Sequence, residues 1–159
     1  MPDVRIVEGV KSRAAVAGHP LHPMIVPFPV AMLPAALLTD IVFALTSNAF
    51  WAGASFWLLA GGVVTGALAA VLGLIDFASI PRVRAVKDGW IHFLGNAAAL
   101  VIAIANVLLR FGNVADPIVP LGLGMSAVVA LILVVTGWYG GELTYRHGVG
   151  VVGPPASRP

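Results

Sequence analysis

The sequence predicts an all-α integral membrane protein, a four-helix bundle with both termini cytoplasmic. Of its 159 residues, 59% are hydrophobic and only 10% charged, whereas an ordinary soluble domain has about 25% charged residues. Four apolar segments are each long enough to cross a hydrocarbon core about 30 Å thick, which takes about 20 helical residues. The lysines and arginines gather in alternate connections between these segments. A chain of this size in water could not cover so much apolar surface with polar groups, so the bilayer must serve as its solvent.

In chain order, residues 1–18 read as an N-terminal cytoplasmic arm. The arm contains Asp3, Arg5, Glu8, Lys11 and Arg13 and lacks the continuous apolar stretch of an export signal, so the first apolar segment is expected to remain in the mature protein. Residues 19–145 form the transmembrane domain, with spans near Met24–Leu45, Phe50–Ile75, Trp90–Leu109 and Pro120–Tyr139. Pro27, Pro29 and Pro34 lie in the first span, which should begin irregularly and kink in its middle. Residues 146–159 read as a flexible cytoplasmic tail. There is no solenoid repeat, and the two halves show no evident inverted repeat of the kind transporters use.

Orientation follows from the cationic residues. Arg5, Lys11 and Arg13 in the arm, Arg82, Arg84 and Lys87 between spans two and three, and Arg146 and Arg158 in the tail share one side, against Arg110 alone on the other. The positive-inside rule makes that richer side cytoplasmic. The net charge of +2 therefore needs no nucleic-acid partner, and no basic patch interleaved with aromatics is present. The absence of cysteine excludes disulfides, thiolate metal sites and cysteine-attached haem. No nucleophile elbow, phosphate loop or zinc-protease helix is found, and the "GLGMS" of Gly122–Ser126 reads as packing inside span four. The chain is thus more readily a subunit than an enzyme by itself.

The histidines carry the remaining chemistry. His19 and His22 stand at the start of span one, His92 just inside span three and His147 after span four. All four fall on the cytoplasmic face, a side assigned from lysine and arginine alone. Four separate interfacial histidines would explain this; so would a shared site. In span three His92, Asn96, Ala99, Ala103, Asn106 and Arg110 lie within about 40° of one line at ~100° per residue, a polar or small stripe that should face the bundle interior. Gly62, Gly66, Ala69, Gly73 and Asp76 form a similar stripe of small residues in span two. Asp76 and Glu142 sit at helix ends whose dipole disfavours a negative charge. Each is read either as salt-bridged to Arg82, Arg84 or Arg146, or as orienting a histidine beside a metal. Asp40, eighteen residues beyond His22 and so on the same helical face, reads as a capped or snorkelling outer group, or as a proton relay. In "HPLHP" both histidines precede proline, which disfavours helical geometry; a non-helical turn is expected to aim His22 inward and leave His19 near the surface.

The run "GHPLHPMIVPFPVAML", a membrane aspartate, "IHFLGN" opening a later span and a closing "GGELTYRHGVGV" resemble the bacterial family of predicted integral membrane proteins known as domain of unknown function 2231. The likeness covers about Gly18–Val151. It implies a multi-pass protein of the bacterial inner membrane. Some members of the family place this unit beside a Rieske-type iron–sulfur domain, which implies electron transfer in those proteins; this chain has no such domain and no cysteine to hold a cluster.

Two readings of function follow. In one, imidazoles from facing helices bind haem b, or a transition metal, for electron transfer. His92 and His22 are the first candidates as ligands, then His147 and His19, with Asp76, Glu142 and Asn96 as the groups that orient them. His22 and His92 would be the ligands of a bare metal, and a redox or membrane-complex protein would be the partner. In the other reading the chain is a non-catalytic structural or partner-docking subunit without a cofactor. A homo-oligomer suits either.

Overall fold

The computed structural model describes residues 9–151; Arg5 and Arg158, counted in the charge bias, lie outside the described residues. After a two-stranded hairpin, β1 (Ala15–Val16) against β2 (His19–Pro20), come a short α1 (Leu21–Ile25) and α2 (Pro27–Thr46), α3 (Ala49–Ser79), a short α4 (Pro81–Ala85), α5 (Lys87–Leu109) and, after an irregular turn at Ile118–Gly122, α6 (Leu123–Tyr145). Four stretches qualify as membrane spans by length and composition: Leu21–Thr46, Ala49–Ser79, Lys87–Leu109 and Ile118–Tyr145. Each overruns the sequence-based boundaries, mostly toward the end that carries the histidines. At 31 residues α3 is about 46 Å long, well beyond the ~30 Å apolar core.

The helices follow from the same apolar runs. A turn of Ser47 and Asn48 separates α2 from α3; Ser47 takes the left-handed conformation that ends α2, and the Asn48 side chain accepts from the Phe50 amide to cap α3. In α1, Pro23 sits in the first turn, where a missing N–H removes no helical hydrogen bond. This corrects the expectation for "HPLHP": His19 lies in the hairpin as an extended residue, but His22 is helical. The junction of α1 and α2 at Val26 keeps helical dihedrals, with the Val26 amide donating to the His22 carbonyl at 3.0 Å, and α2 continues through Pro34.

Within the bundle, α1–α2 and α3 make one hairpin, α5 and α6 the other, with α3 also against α5 and α2 against α6. Leu33, Ala36, Leu59, Ala99, Ala103 and Val129 form the core between them. Large apolar side chains such as Leu38, Trp57, Val64, Val101, Leu131 and Val134 are exposed on the outer faces, as expected of helices whose outer solvent is lipid. The stripe of α5 faces inward as expected: Ala99, Ala103, Asn106 and Arg110 are all buried.

The first and last described segments meet at the histidine end of the bundle. The Val10 amide donates to the Gly148 carbonyl and the Gly150 amide to the Val10 carbonyl, each at 2.8 Å. Val10 and Val149 pack on Phe77, Ile80, Val83 and Leu143. Residues 146–151 of the expected flexible tail are therefore docked, and residues 152–159 lie outside the described residues.

Candidate functional site

His22 and His92 come together where the two hairpins face each other. Their rings are edge to face with centroids 6.1 Å apart. The His22 Nδ1 lies 2.8 Å from the Ala69 carbonyl of α3, and the His92 Nδ1 lies 2.8 Å from the Thr136 carbonyl of α6. A carbonyl can only accept, so in each neutral ring Nδ1 carries the proton and Nε2 keeps its lone pair. Neither Nε2 has a hydrogen-bond partner among the described residues, and both rings line one cavity.

One turn beyond each accepting carbonyl is a glycine. A Cβ on Gly73 would lie 3.0 Å from His22 Nδ1 and Cε1, and one on Gly140 would lie 2.9 Å from His92 Cε1. The rings fit because these positions have no side chain. Asn96 secures the second histidine: its amide donates to the His92 carbonyl at 2.7 Å, and its Oδ1 accepts from the Thr136 hydroxyl at 3.3 Å. Of the residues expected to orient a histidine, Asn96 alone touches one of this pair.

The cavity has a volume of about 590 Å³, within the ~300–1,000 Å³ usual for small-molecule and cofactor sites. Its polar lining consists of His22, His92, Asn96, Ser12, Asp76 and Thr144; most of the rest is apolar or glycine.

The other expected residues are placed elsewhere. His19 is exposed, with Nδ1 3.1 Å from the Ala17 carbonyl of its own hairpin. His147 pairs through Nε2 with Asp88 Oδ2 at 2.8 Å, and Glu142 pairs with Arg146 at 2.8 Å, one helical turn away. Asp76 accepts from the Ser12 hydroxyl at 2.7 Å and from the Arg13 and Ala14 amides at 2.7 and 3.0 Å. It thereby ties the N-terminal arm across the bundle end. Backbone donors, and for Glu142 a neighbouring arginine, offset the helix-dipole cost, so neither carboxylate orients a histidine. Among the described residues no group of three or more His, Cys, Asp or Glu could hold a metal ion. A bare transition metal at His22 and His92 would therefore have no third ligand of these types among them.

At the far end lies a second polar group, which the sequence reading missed as a unit. Asp40, Ser55, Asn106, Arg110 and Ser126 come from all four long helices and are fully buried. Arg110 grips Asp40 through both terminal nitrogens, at 2.7 and 2.8 Å, and its Nε donates to Asn106 Oδ1 at 2.9 Å. The Ser55 and Ser126 hydroxyls both donate to the Asp40 carboxylate. Asp40 is therefore neither a snorkelling end group nor an open relay. Gly122 admits the guanidinium, since a Cβ there would lie 2.8 Å from Arg110 Nη2.

The two hairpins repeat one another. Eighteen residues after His22 comes Asp40, and eighteen after His92 comes Arg110. Each histidine bonds a carbonyl on the second helix of its own hairpin and packs on the glycine four residues later. With this geometry in view, the comparison with known families is decisive: the family described as Predicted membrane protein (DUF2231) matches residues 18–153. The chain belongs to that family. No curated protein and no solved structure matches it significantly. As a DUF2231 protein it is a multi-pass membrane protein, and its chemistry must be argued from its own residues.

Proposed function

We propose that this DUF2231 protein binds haem b between its two hairpins, where His22 and His92 would hold it, and serves as an electron-transfer subunit of the membrane. The observation that carries this reading is the histidine pair itself. The two rings stand with centroids 6.1 Å apart on one cavity, and each keeps an Nε2 without a hydrogen-bond partner among the described residues. Tying each Nδ1–H to a carbonyl is how proteins orient metal-binding histidines and keep the other nitrogen free to ligate.

Two side-chain ligands are too few for a zinc-type site, which takes three or four. They suffice for haem, whose macrocycle supplies the remaining donors. When bound, the group supplies reversible one-electron transfer; the protein residues orient the ligands, exclude water and provide apolar walls. His147 and His19, engaged with Asp88 and Ala17, have no place in this site.

The charge bias supports placing the histidine end in the cytoplasm. Its one exception, Arg110, is buried in an ion pair with Asp40, so it is withdrawn from the opposite surface. An electron-transfer partner would then meet the protein from the cytoplasm or within a membrane complex of the bacterial inner membrane.

The test is an optical spectrum of protein purified after expression with ample haem. A sharp Soret band with reduced α and β bands, lost in His22→Ala and in His92→Ala but kept in His19→Ala and His147→Ala, is expected. A colourless, iron-free wild type would refute the reading and leave a structural subunit without a cofactor.

A further inference from the structure

We propose that the histidine cavity is filled from the bilayer, through the seam between α2 and α6, by a flat, lipid-partitioning molecule; this rests on the haem reading above. The first argument is that the aqueous end is built over. Ser12, Pro20, Val149 and Gly150 form part of the cavity wall. The chain around them is held by the three bonds to Asp76 and the two between Val10 and the closing segment. A ligand arriving from water would have to undo this strap.

The second argument comes from the sides. Pro27, Val30 and Gly137 line the cavity and are also exposed on the outer faces of α2 and α6, which in a membrane look onto lipid. A Cβ on Gly137 would meet nothing within 4 Å, so the seam is open there. On the opposite side, Ala70 and Ala97 likewise line the cavity while exposed. That seam is closed nearer the histidine end by Phe77 of α3 stacked on Phe93 of α5, with centroids 4.3 Å apart. Under the correspondence of His22 with His92 and of Gly73 with Gly140, the positions matching Phe93 and Phe77 are Pro23 and Thr144. These are smaller groups that also line the cavity. The repeat is thus broken so that one seam is sealed by aromatic stacking and the other is left wide.

The chemistry of the walls fixes the class of ligand. A molecule reaching the histidines by this route must dissolve in acyl chains, be thin enough to pass between two helices and present a group that Nε2 lone pairs can bind. Free haem meets all three conditions.

The experiment mixes cofactor-free protein in detergent-free bilayers with vesicles carrying haemin and follows the Soret band. Gly137→Trp fills the open gap and should slow loading several-fold. Val30→Ala, a truncation at an exposed position, should speed loading several-fold. Val10→Pro, which removes an amide that ties the strap at Gly148 and lies outside the cavity lining, should leave the rate unchanged. If Gly137→Trp and Val30→Ala both load at the wild-type rate, the lateral route is wrong although haem binds. If wild type never develops the band, the haem reading itself falls.

Discussion

Asp40→Leu is the sharpest test of how the bundle is held, because the expected effect follows from geometry already described. Asp40 accepts from Arg110, Ser55 and Ser126, and both charged side chains are 0% exposed. Removing the carboxylate leaves a guanidinium sealed in an apolar bundle, still bonded to Asn106 but without its counter-charge. Breaking a buried pair by deleting one partner typically costs ~3–5 kcal/mol, whereas replacing both with apolar groups is often neutral. At ~2–4 °C per kcal/mol for a chain of this size, the single variant should melt ~6–20 °C lower. Arg110→Leu should fall comparably, since it strands the carboxylate. The double variant Asp40→Leu/Arg110→Leu should recover most of the loss. Thermal unfolding in one detergent, read by circular dichroism, gives all four corners of the cycle. If either single variant melts within about 2 °C of wild type, or the double variant melts below both, the pair does not join the hairpins as argued.

Gly140→Ala would bring a Cβ to 2.9 Å from His92 Cε1 and should abolish the haem spectrum while lowering the melting temperature by only a few degrees, because an overpacking cost of ~1–3 kcal/mol is partly offset by up to ~1 kcal/mol of helix preference for alanine. Asn96→Leu frees the His92 carbonyl and Thr136 hydroxyl together and should weaken haem affinity ~10–100-fold, read by titration of cofactor-free protein. Reporter fusions at both ends should give cytoplasmic signals only; a periplasmic signal from either end would overturn the orientation.

The four spans were legible because composition and length decide them with little help from tertiary structure. The inward stripe of α5 was legible for a related reason: a polar residue every turn in a membrane helix has nowhere else to go. The pairing of His22 with His92 followed from that stripe and from topology. Glu142 pairs with Arg146, one of its expected partners, whereas Asp76 was misread because sequence shows side-chain charges but not backbone donors. Asp76 is satisfied by amides of Arg13 and Ala14, which any residues would supply. The Asp40–Arg110 pair was overlooked although its signal was present. Asp40 was placed eighteen residues from His22, and the same interval from His92 reaches Arg110. Comparing the two intervals would have exposed both the repeat and the pair.

That repeat bears directly on function. Two hairpins of one pattern bring equivalent positions face to face, and the two ends of this bundle resolve that meeting in different ways. At one end the equivalent residues are Asp40 and Arg110, which satisfy each other with help from Ser55, Ser126 and Asn106 and leave nothing for a ligand. Like charges there would repel in a low dielectric, so complementarity is the stable outcome. At the other end both residues are histidines, each satisfied at Nδ1 within its own hairpin and each keeping a lone pair at Nε2. Two lone pairs cannot satisfy each other. They need a shared Lewis acid or proton donor between them, and the structure provides a cavity there instead of a side chain. A purely structural bundle could have joined this end as it joined the other, and the retained pair of acceptors is the feature on which the haem proposal rests.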